Sequence, residues 1–304
     1  MSVWHTPVLL EEVLGWLQVR ADGIYVDATT GTGGHTLEIA RRLATGRVIG
    51  LDQDAQALEQ ARERLKEFES RVTLVNERFS EIGNVLKRLG IPAVDGIVAD
   101  LGVSTLQLDT PERGFSFRYG GPLDMRMNQG AQSTAKEIVN QWSEKELADL
   151  IFRYGEERNS RRIARAIVRA RPIRDTGHLA TVVAGAQYLR GRRKLHPATK
   201  TFLALRIAVN RELEELGQFL DRAPATLHPE GRWVFLTYHS LEDRMVKQAF
   251  RRYEREGMLR LLTKHVERPA EEEIETNPRA RSAMLRAAEK LPPRFEGEEW
   301  PGSL

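Results

Sequence analysis

Residues Gly23 to His35, Gly-Ile-Tyr-Val-Asp-Ala-Thr-Thr-Gly-Thr-Gly-Gly-His, constrain the fold more than any other stretch. Ile24 to Val26 reads as a short buried strand that ends in an acid, Asp27. Gly31, Gly33 and Gly34 make a turn. An amphipathic helix then starts, with Leu37, Ile39, Ala40 and Leu43 on its apolar side. Strand, glycine turn, helix is how an open α/β sheet builds a nucleotide site. Glycines let the backbone approach a ligand, and the helix start offers free N–H groups.

The same rhythm continues downstream. Val8 to Leu17 has helical spacing. Gly46 to Asp52 is a second strand ending in an acid, and Asp54 reads as the N-cap of a helix running to about Phe68. Val72 to Val75 is a third strand and Phe79 to Leu89 a third helix. Val94 to Asp100 is a fourth strand, again ending in an acid. Alternation of this kind implies a parallel sheet with helices on both faces. Ligands bind outside the carboxyl ends of such strands, so Asp27, Asp52 and Asp100 are expected to face one crevice.

After Asp100 the rhythm breaks. Leu101 to Gly130 is rich in Gly, Pro, Asp, Met and aromatics, and reads as a long active-site loop. From about Thr134 to Leu220 the pattern is helical, with helices near 143–153, 157–170, 176–190 and 199–219. A strand returns at Gly231 to Tyr238, followed by a helix from Leu241 to Arg255. Leu259 to Lys264 and Ala283 to Glu289 are the last strands, expected as antiparallel hairpin partners across the acidic link Glu271 to Glu275. The expected organisation is a discontinuous α/β domain, 1–110 with 221–304, interrupted by 111–220, an active-site loop plus an inserted all-helical domain.

Composition narrows the chemistry. The 304 residues contain no cysteine, which excludes thiolate chemistry, Cys-based zinc sites and iron–sulfur clusters. Seven histidines are scattered without a His-x-x-x-His pair, so no metal is expected. No apolar run approaches the roughly 20 residues of a membrane span. The N-terminus lacks a signal-peptide pattern, and a cytoplasmic location is the default. The net charge is only +3 but uneven. Between Ile151 and Lys200 stand Arg153, Arg158, Arg161, Arg162, Arg165, Arg169, Arg171, Arg174, Arg190, Arg192, Arg193, Lys194 and Lys200, against Glu156, Glu157 and Asp175. Such a block suggests a polyanion partner or a solvated arginine-rich surface.

Three nucleotide readings of the turn compete. A P-loop needs a Lys after its glycines, and none follows. A dinucleotide fold needs Gly-x-Gly-x-x-Gly/Ala, and Thr36 stands at the last position. An S-adenosylmethionine site uses an acid followed by alternating glycines. Asp27-x-Thr29-x-Gly31-x-Gly33 fits, with Thr29 replacing the first glycine. Asp52 would take ribose hydroxyls in either of the last two readings. The insert after strand four and the antiparallel sheet end favour a methyltransferase arrangement over a dehydrogenase.

Larger motifs carry a closer likeness. They include His5-Thr-Pro-Val-Leu-Leu-Glu-Glu12, Val26 to His35, Asp100-Leu-Gly-Val-Ser-Thr-Leu-Gln-Leu-Asp109 and Glu112-Arg-Gly-Phe-Ser-Phe117. Gly121-Pro-Leu-Asp-Met-Arg-Met127, Tyr154-Gly-Glu-Glu-Arg158, His196-Pro-Ala-Thr-Lys-Thr-Phe202, His239-Ser-Leu-Glu-Asp-Arg244 and Asn277-Pro-Arg-Ala-Arg-Ser282 complete them. With these stretches the sequence resembles the RsmH (MraW) family of bacterial methyltransferases, which make N4-methylcytidine in small-subunit ribosomal RNA. Tyr238 stands where that family often has Phe, and Lys200 where it often has Arg. The resemblance implies a class I S-adenosylmethionine-dependent (Rossmann-like) fold and 16S rRNA of the small ribosomal subunit as partner. It also implies cofactor contacts from Gly33, Gly34, His35, Asp52, Phe79, Asp100 and Gln107, beside Asp27 and Gly31 of the turn.

Methyl transfer to an exocyclic amine is an in-line displacement in which the enzyme mostly orients the reactants. Asp100 is expected to orient the amine or cofactor, with Tyr238 and His239 completing the base pocket. The Pro-Pro-aromatic segment that many amino-methyltransferases place after strand four is absent here. A cytidine deaminase would need Cys zinc ligands. A non-catalytic RNA-binding protein with a nucleotide-binding domain would account for the basic insert but not for the constellation of acids and glycines. A homodimer is compatible with the sequence, although no decisive apolar stripe marks an interface.

Overall fold

The structure is a computed structural model that describes residues 7–118, 120–187 and 196–293. His5, together with Arg190, Arg192, Arg193, Lys194 and the end of the helix expected over 176–190, lies outside the described residues. In chain order the elements begin with α1 (Leu10–Leu17), β1 (Ile24–Asp27), α2 (Gly34–Arg42), β2 (Arg47–Asp52), α3 (Ala55–Arg64), β3 (Val72–Asn76), α4 (Ile82–Arg88) and β4 (Val94–Asp100). Helices α5 (Thr105–Asp109), α6 (Ala135–Gln141), α7 (Glu144–Gly155), α8 (Ser160–Arg169), α9 (Thr176–Gly185), α10 (Thr199–Asn210) and α11 (Glu212–Arg222) follow. The chain then forms β5 (Leu227–Thr237), α12 (Ser240–Arg255), β6 (Leu259–Leu261), α13 (Glu271–Thr276) and β7 (Met284–Lys290).

The chain divides into two compact units. One comprises Met1–Asp52, Leu58–Gly102 and Leu216–Leu304, the other Gln53–Ala57 with Val103–Glu215. The second unit thus starts at Val103, where the sequence reading began its insert at 111. The segment after β4 bonds to Asp54 of that unit: Gln107 Nε2 donates to Asp54 Oδ2 at 2.9 Å, and Arg113 donates to the same oxygen at 2.7 Å.

In the first unit the strand order is β3-β2-β1-β4-β5-β7-β6. The first five strands run parallel, and β7 pairs antiparallel with both β5 and β6. Strand alternation sends successive side chains to opposite faces. Trp233 and Phe235 of β5, with Ile97 and Ala99 of β4, pack on one face with α4 and α12. Val234, Leu236 and Val98 point the other way, onto α1 and α2. The order reverses between β1 and β4, so the crevice of this α/β sheet opens beyond the carboxyl ends of those two strands. This doubly wound arrangement is the class I methyltransferase fold that was expected. The last two strands depart from a simple hairpin: α13, the expected acidic link, lies between them, and β7 inserts between β5 and β6.

The second unit has its own core, built from residues such as Leu123, Ile138, Leu147, Ile151, Ile163, Ile167, Leu179 and Leu205. Thr134 and Glu137 cap α6, and Ser143 and Glu146 cap α7, each by reciprocal side-chain and backbone bonds. Two expectations are corrected here. The helix read over 199–219 breaks at Arg211, which adopts φ 53°, into α10 and α11. The long loop after Asp100 is not structureless. Ser104 and Gln107 cap the short α5, and the buried Arg113 donates to the Arg126 and Met127 carbonyls at 2.9 and 3.0 Å. The Asn210 amide closes the same region, bonding to Met125 O and Met127 N at 2.8 and 2.7 Å. On α8, Ile163, Ala164 and Ile167 are buried while Arg161, Arg165 and Arg169 are exposed.

Candidate active site

The site in the first unit begins at the end of β1. Gly31 and Gly33 adopt φ 53° and 84°, which only glycine takes cheaply. The turn is tied to both neighbouring strands. Thr30 N–H donates to Leu51 O at 2.9 Å, and Gly31 N–H donates to Asp52 Oδ2 at 2.7 Å. Thr29 accepts the Asp100 backbone N–H on its hydroxyl at 2.6 Å. The residue that replaces the motif's first glycine is therefore a brace between the turn and β4.

Asp27 departs from expectation. It is buried and does not open onto the crevice; its carboxylate accepts from Thr36 Oγ1 at 2.6 Å and from Thr29 N–H at 3.2 Å. Burial raises its pKa, opposed by His35 and by these hydrogen bonds. Asp27 thus braces the turn from within. Thr36, which occupies the missing third glycine of a dinucleotide motif, is its partner.

Asp100 sits half-buried at the end of β4. Burial pushes its carboxyl pKa up, while His35, the Tyr238 hydroxyl and the Gly102 N–H oppose that shift. Tyr238 donates its hydroxyl to Asp100, and its own pKa is driven well above the phenolic range by burial and by that carboxylate. The phenol therefore stays neutral and remains a donor. Strand register explains the meeting: Asp100 pairs with Leu236 across β4 and β5, which brings Tyr238 beside it. Gly102 makes the approach possible, since a Cβ there would lie 2.8 Å from the Tyr238 ring. His35 is buried, with Nε2 3.2 Å from the Val8 carbonyl and Nδ1 3.9 Å from Asp100 Oδ2. A carbonyl can only accept, so Nε2 carries a proton, while Nδ1 is turned toward Asp100.

His239 is the N-cap of α12, and its Nε2 lies 2.9 Å from Glu242 Oε1. Glu242 is buried and also accepts the Tyr238 backbone N–H at 3.0 Å. The sequence reading missed Glu242, although an acid three residues after an N-cap is a recognisable capping pattern. It missed the roles of Thr29 and Thr36 because each was read as a lost glycine. Phe79 lies just past β3, edge-to-face with Phe219 at 5.1 Å. Gln107 belongs to the second unit; its side chain is engaged there by Asp54 and by the Ser104 N–H at 3.1 Å.

The constellation of a braced glycine turn, an acid closing β2 and a half-buried acid–phenol pair at the ends of β4 and β5 can now be set beside known proteins. The family description "MraW methylase family" matches residues 2–291. The chain belongs to the MraW methylase family. Its relatives include the ribosomal RNA small subunit methyltransferase H of Koribacter versatilis, 51% identical with 93% of each chain covered. The protein of that name from Solibacter usitatus is 50% identical, covering 94% of this chain and 99% of its own. That of Gloeobacter violaceus is 52% identical, covering 97% and 91%. As a member of this family the methylase is an enzyme that draws its methyl group from S-adenosylmethionine. The residues present fit that donor. The first-turn N–H groups of α2, at Gly34 and His35, have no intrahelical partner and suit a carboxylate. Asp52, at the end of β2, suits a ribose diol.

Proposed function

We propose that the protein methylates the exocyclic N4 of a cytidine in 16S rRNA of the small ribosomal subunit, in the cytoplasm. The observation that carries the reading is the Asp100 carboxylate, half-buried and held by Tyr238 and Gly102 at the mouth of the turn. In this reading Asp52 binds the ribose of the cofactor, and Gly31, Gly33, Gly34 and His35 line its methionine end. Phe79 packs toward its adenine, and Gln107 is a further cofactor contact that the family likeness implies.

S-adenosylmethionine supplies an electrophilic methyl group on a sulfonium. The cytosine amine is a weak nucleophile because its lone pair is delocalised into the ring. Asp100 accepts from an amine hydrogen, which localises that lone pair and takes up positive charge as the N–C bond forms. Its raised pKa makes it a better proton acceptor than an ordinary aspartate. Tyr238 donates to the other side of the carboxylate and keeps its orientation. His239, held by Glu242, completes the base pocket. The base must be unstacked to enter, at a cost of a few kcal/mol. Exposed arginines of the second unit, among them Arg161, Arg165 and Arg169, offset that cost by gripping phosphates.

The test is transfer of labelled methyl to small-subunit rRNA at saturating cofactor, with mass spectrometry of the modified nucleoside. Wild type should yield N4-methylcytidine, and Asp100→Ala and His239→Ala should lose turnover even with cofactor saturating. Near-wild-type turnover in both variants overturns the assignment. A protein that only binds RNA would leave no methyl mark at all.

A further inference from the structure

On the first unit, α12 carries a second basic surface that the methyl-transfer reading leaves unused. Arg244, Lys247, Arg251 and Arg255 recur at three- and four-residue spacing and therefore share one helix face. Arg244, Arg251 and Arg255 are exposed. Like charges four apart, as at Lys247/Arg251 and Arg251/Arg255, disfavour a helix. Some helical arginines elsewhere have acids one turn away, as in Arg41–Glu38 and Arg62–Glu59. Lys247, Arg251 and Arg255 have no acidic partner among the described residues.

The stripe borders an open groove of ≈ 820 Å³ between α12 and the end of α11. Arg251, Arg252 and Arg255 line it together with Gly217, Leu220 and Met245. Its acids are Asp221, which is ion-paired to Arg252 at 2.6 Å, and Glu254. Gly217 is the second observation. Glycine is among the poorest helix formers. Here nothing in the packing requires it, because an added Cβ would meet only Met245 Cε, at an ordinary 3.7 Å. Its lack of a side chain leaves the groove lining open beside Met245.

We infer that this groove and stripe bind the backbone of the RNA substrate, the arginines taking successive phosphates and the groove accepting an unstacked nucleotide. Arginine forks suit phosphate oxygens, and their planes stack on bases. This rests on the rRNA-methylation reading, and it adds an RNA-binding surface outside the second unit.

The test uses the full-length protein with Arg251→Gln/Arg255→Gln and, separately, Gly217→Leu, assayed against protein-free small-subunit rRNA and against the subunit. The double variant should bind RNA roughly tenfold more weakly. Its salt dependence should flatten by about 0.7 to 0.9 in log–log slope per residue replaced. KM for RNA should rise while kcat and cofactor affinity hold. Gly217→Leu should weaken RNA binding with unchanged charge and undiminished thermal stability. Variants that match wild type in RNA affinity and salt slope overturn the inference. So does a defect seen only with the subunit and not with protein-free rRNA, which would place a ribosomal protein in the groove. If wild type neither binds nor methylates rRNA, the function proposed above fails instead.

Discussion

Thr36→Val isolates the bond that holds the glycine turn. The Thr36 hydroxyl donates to Asp27 Oδ2 at 2.6 Å, and both residues are buried. Valine has nearly the same volume, so the loss is one hydrogen bond to a buried acid, worth about 1.5–3 kcal/mol. Unfolding entropy scales with length, so for a chain of this size the melting temperature should fall by roughly 2–6 °C. The pH dependence gives a sharper signature. Burial already holds the Asp27 pKa above its unfolded value, and the Thr36 bond works against that rise. A raised carboxyl pKa leaves the acid's contribution intact below the unfolded pKa and erodes it as pH climbs through the folded one. The variant raises that pKa further, so its deficit should be largest near neutral pH and should shrink on acidification. Scanning calorimetry of both proteins across the acidic to neutral range measures this, with cofactor titration following the turn itself. An unchanged melting temperature, or a deficit that grows in acid, would refute the bracing role.

Other perturbations address separate parts of the molecule. Asp52→Ala removes the acceptor of the Gly31 N–H and of the proposed ribose bonds; calorimetric titration should show cofactor affinity lower by about one to two decades. Gly102→Ala places a Cβ 2.8 Å from the Tyr238 ring. It should cost about 1–3 kcal/mol in denaturant unfolding and lower turnover by displacing the Asp100 partner. Arg113→Met strands the buried Asp54 carboxylate, which it meets at 2.7 Å. Thermal melts should show a loss of about 3–5 kcal/mol, because one charge of a buried pair is left uncompensated. Replacing Arg161, Arg165 and Arg169 by Gln should weaken RNA binding in filter or fluorescence titrations. It should also flatten the salt slope by about 0.7 to 0.9 for each phosphate that is no longer neutralised.

Local periodicity made much of the first unit legible. A run such as Val94 to Asp100 forms a buried strand because its apolar content suits a parallel sheet covered on both faces, and glycines at 31 and 33 mark backbone that other residues adopt at a cost. Those signals lie within a few residues of one another, as do the capping pairs that start α6 and α7. The second unit was legible as helical, but its division was not. The αL residue Arg211, which separates α10 from α11, carries no Gly or Pro to announce itself. The segment after β4 looked like an open loop because Arg113, a long charged side chain, gave no sign of being its buried anchor.

The sequence by itself determined the alternation of strands and helices, the glycine turn, the acids that end β1, β2 and β4, and the family motifs. Only the tertiary structure decided what those acids do. Asp27 and Asp100 end strands in the same way, yet one is enclosed by Thr29 and Thr36 while the other meets Tyr238 and faces His35. The difference arises from β4 pairing with β5 across more than a hundred intervening residues, a register that no local pattern encodes. Burial and partner, not residue type, then set apart one carboxylate enclosed in the turn from another that is half-buried beside a phenol.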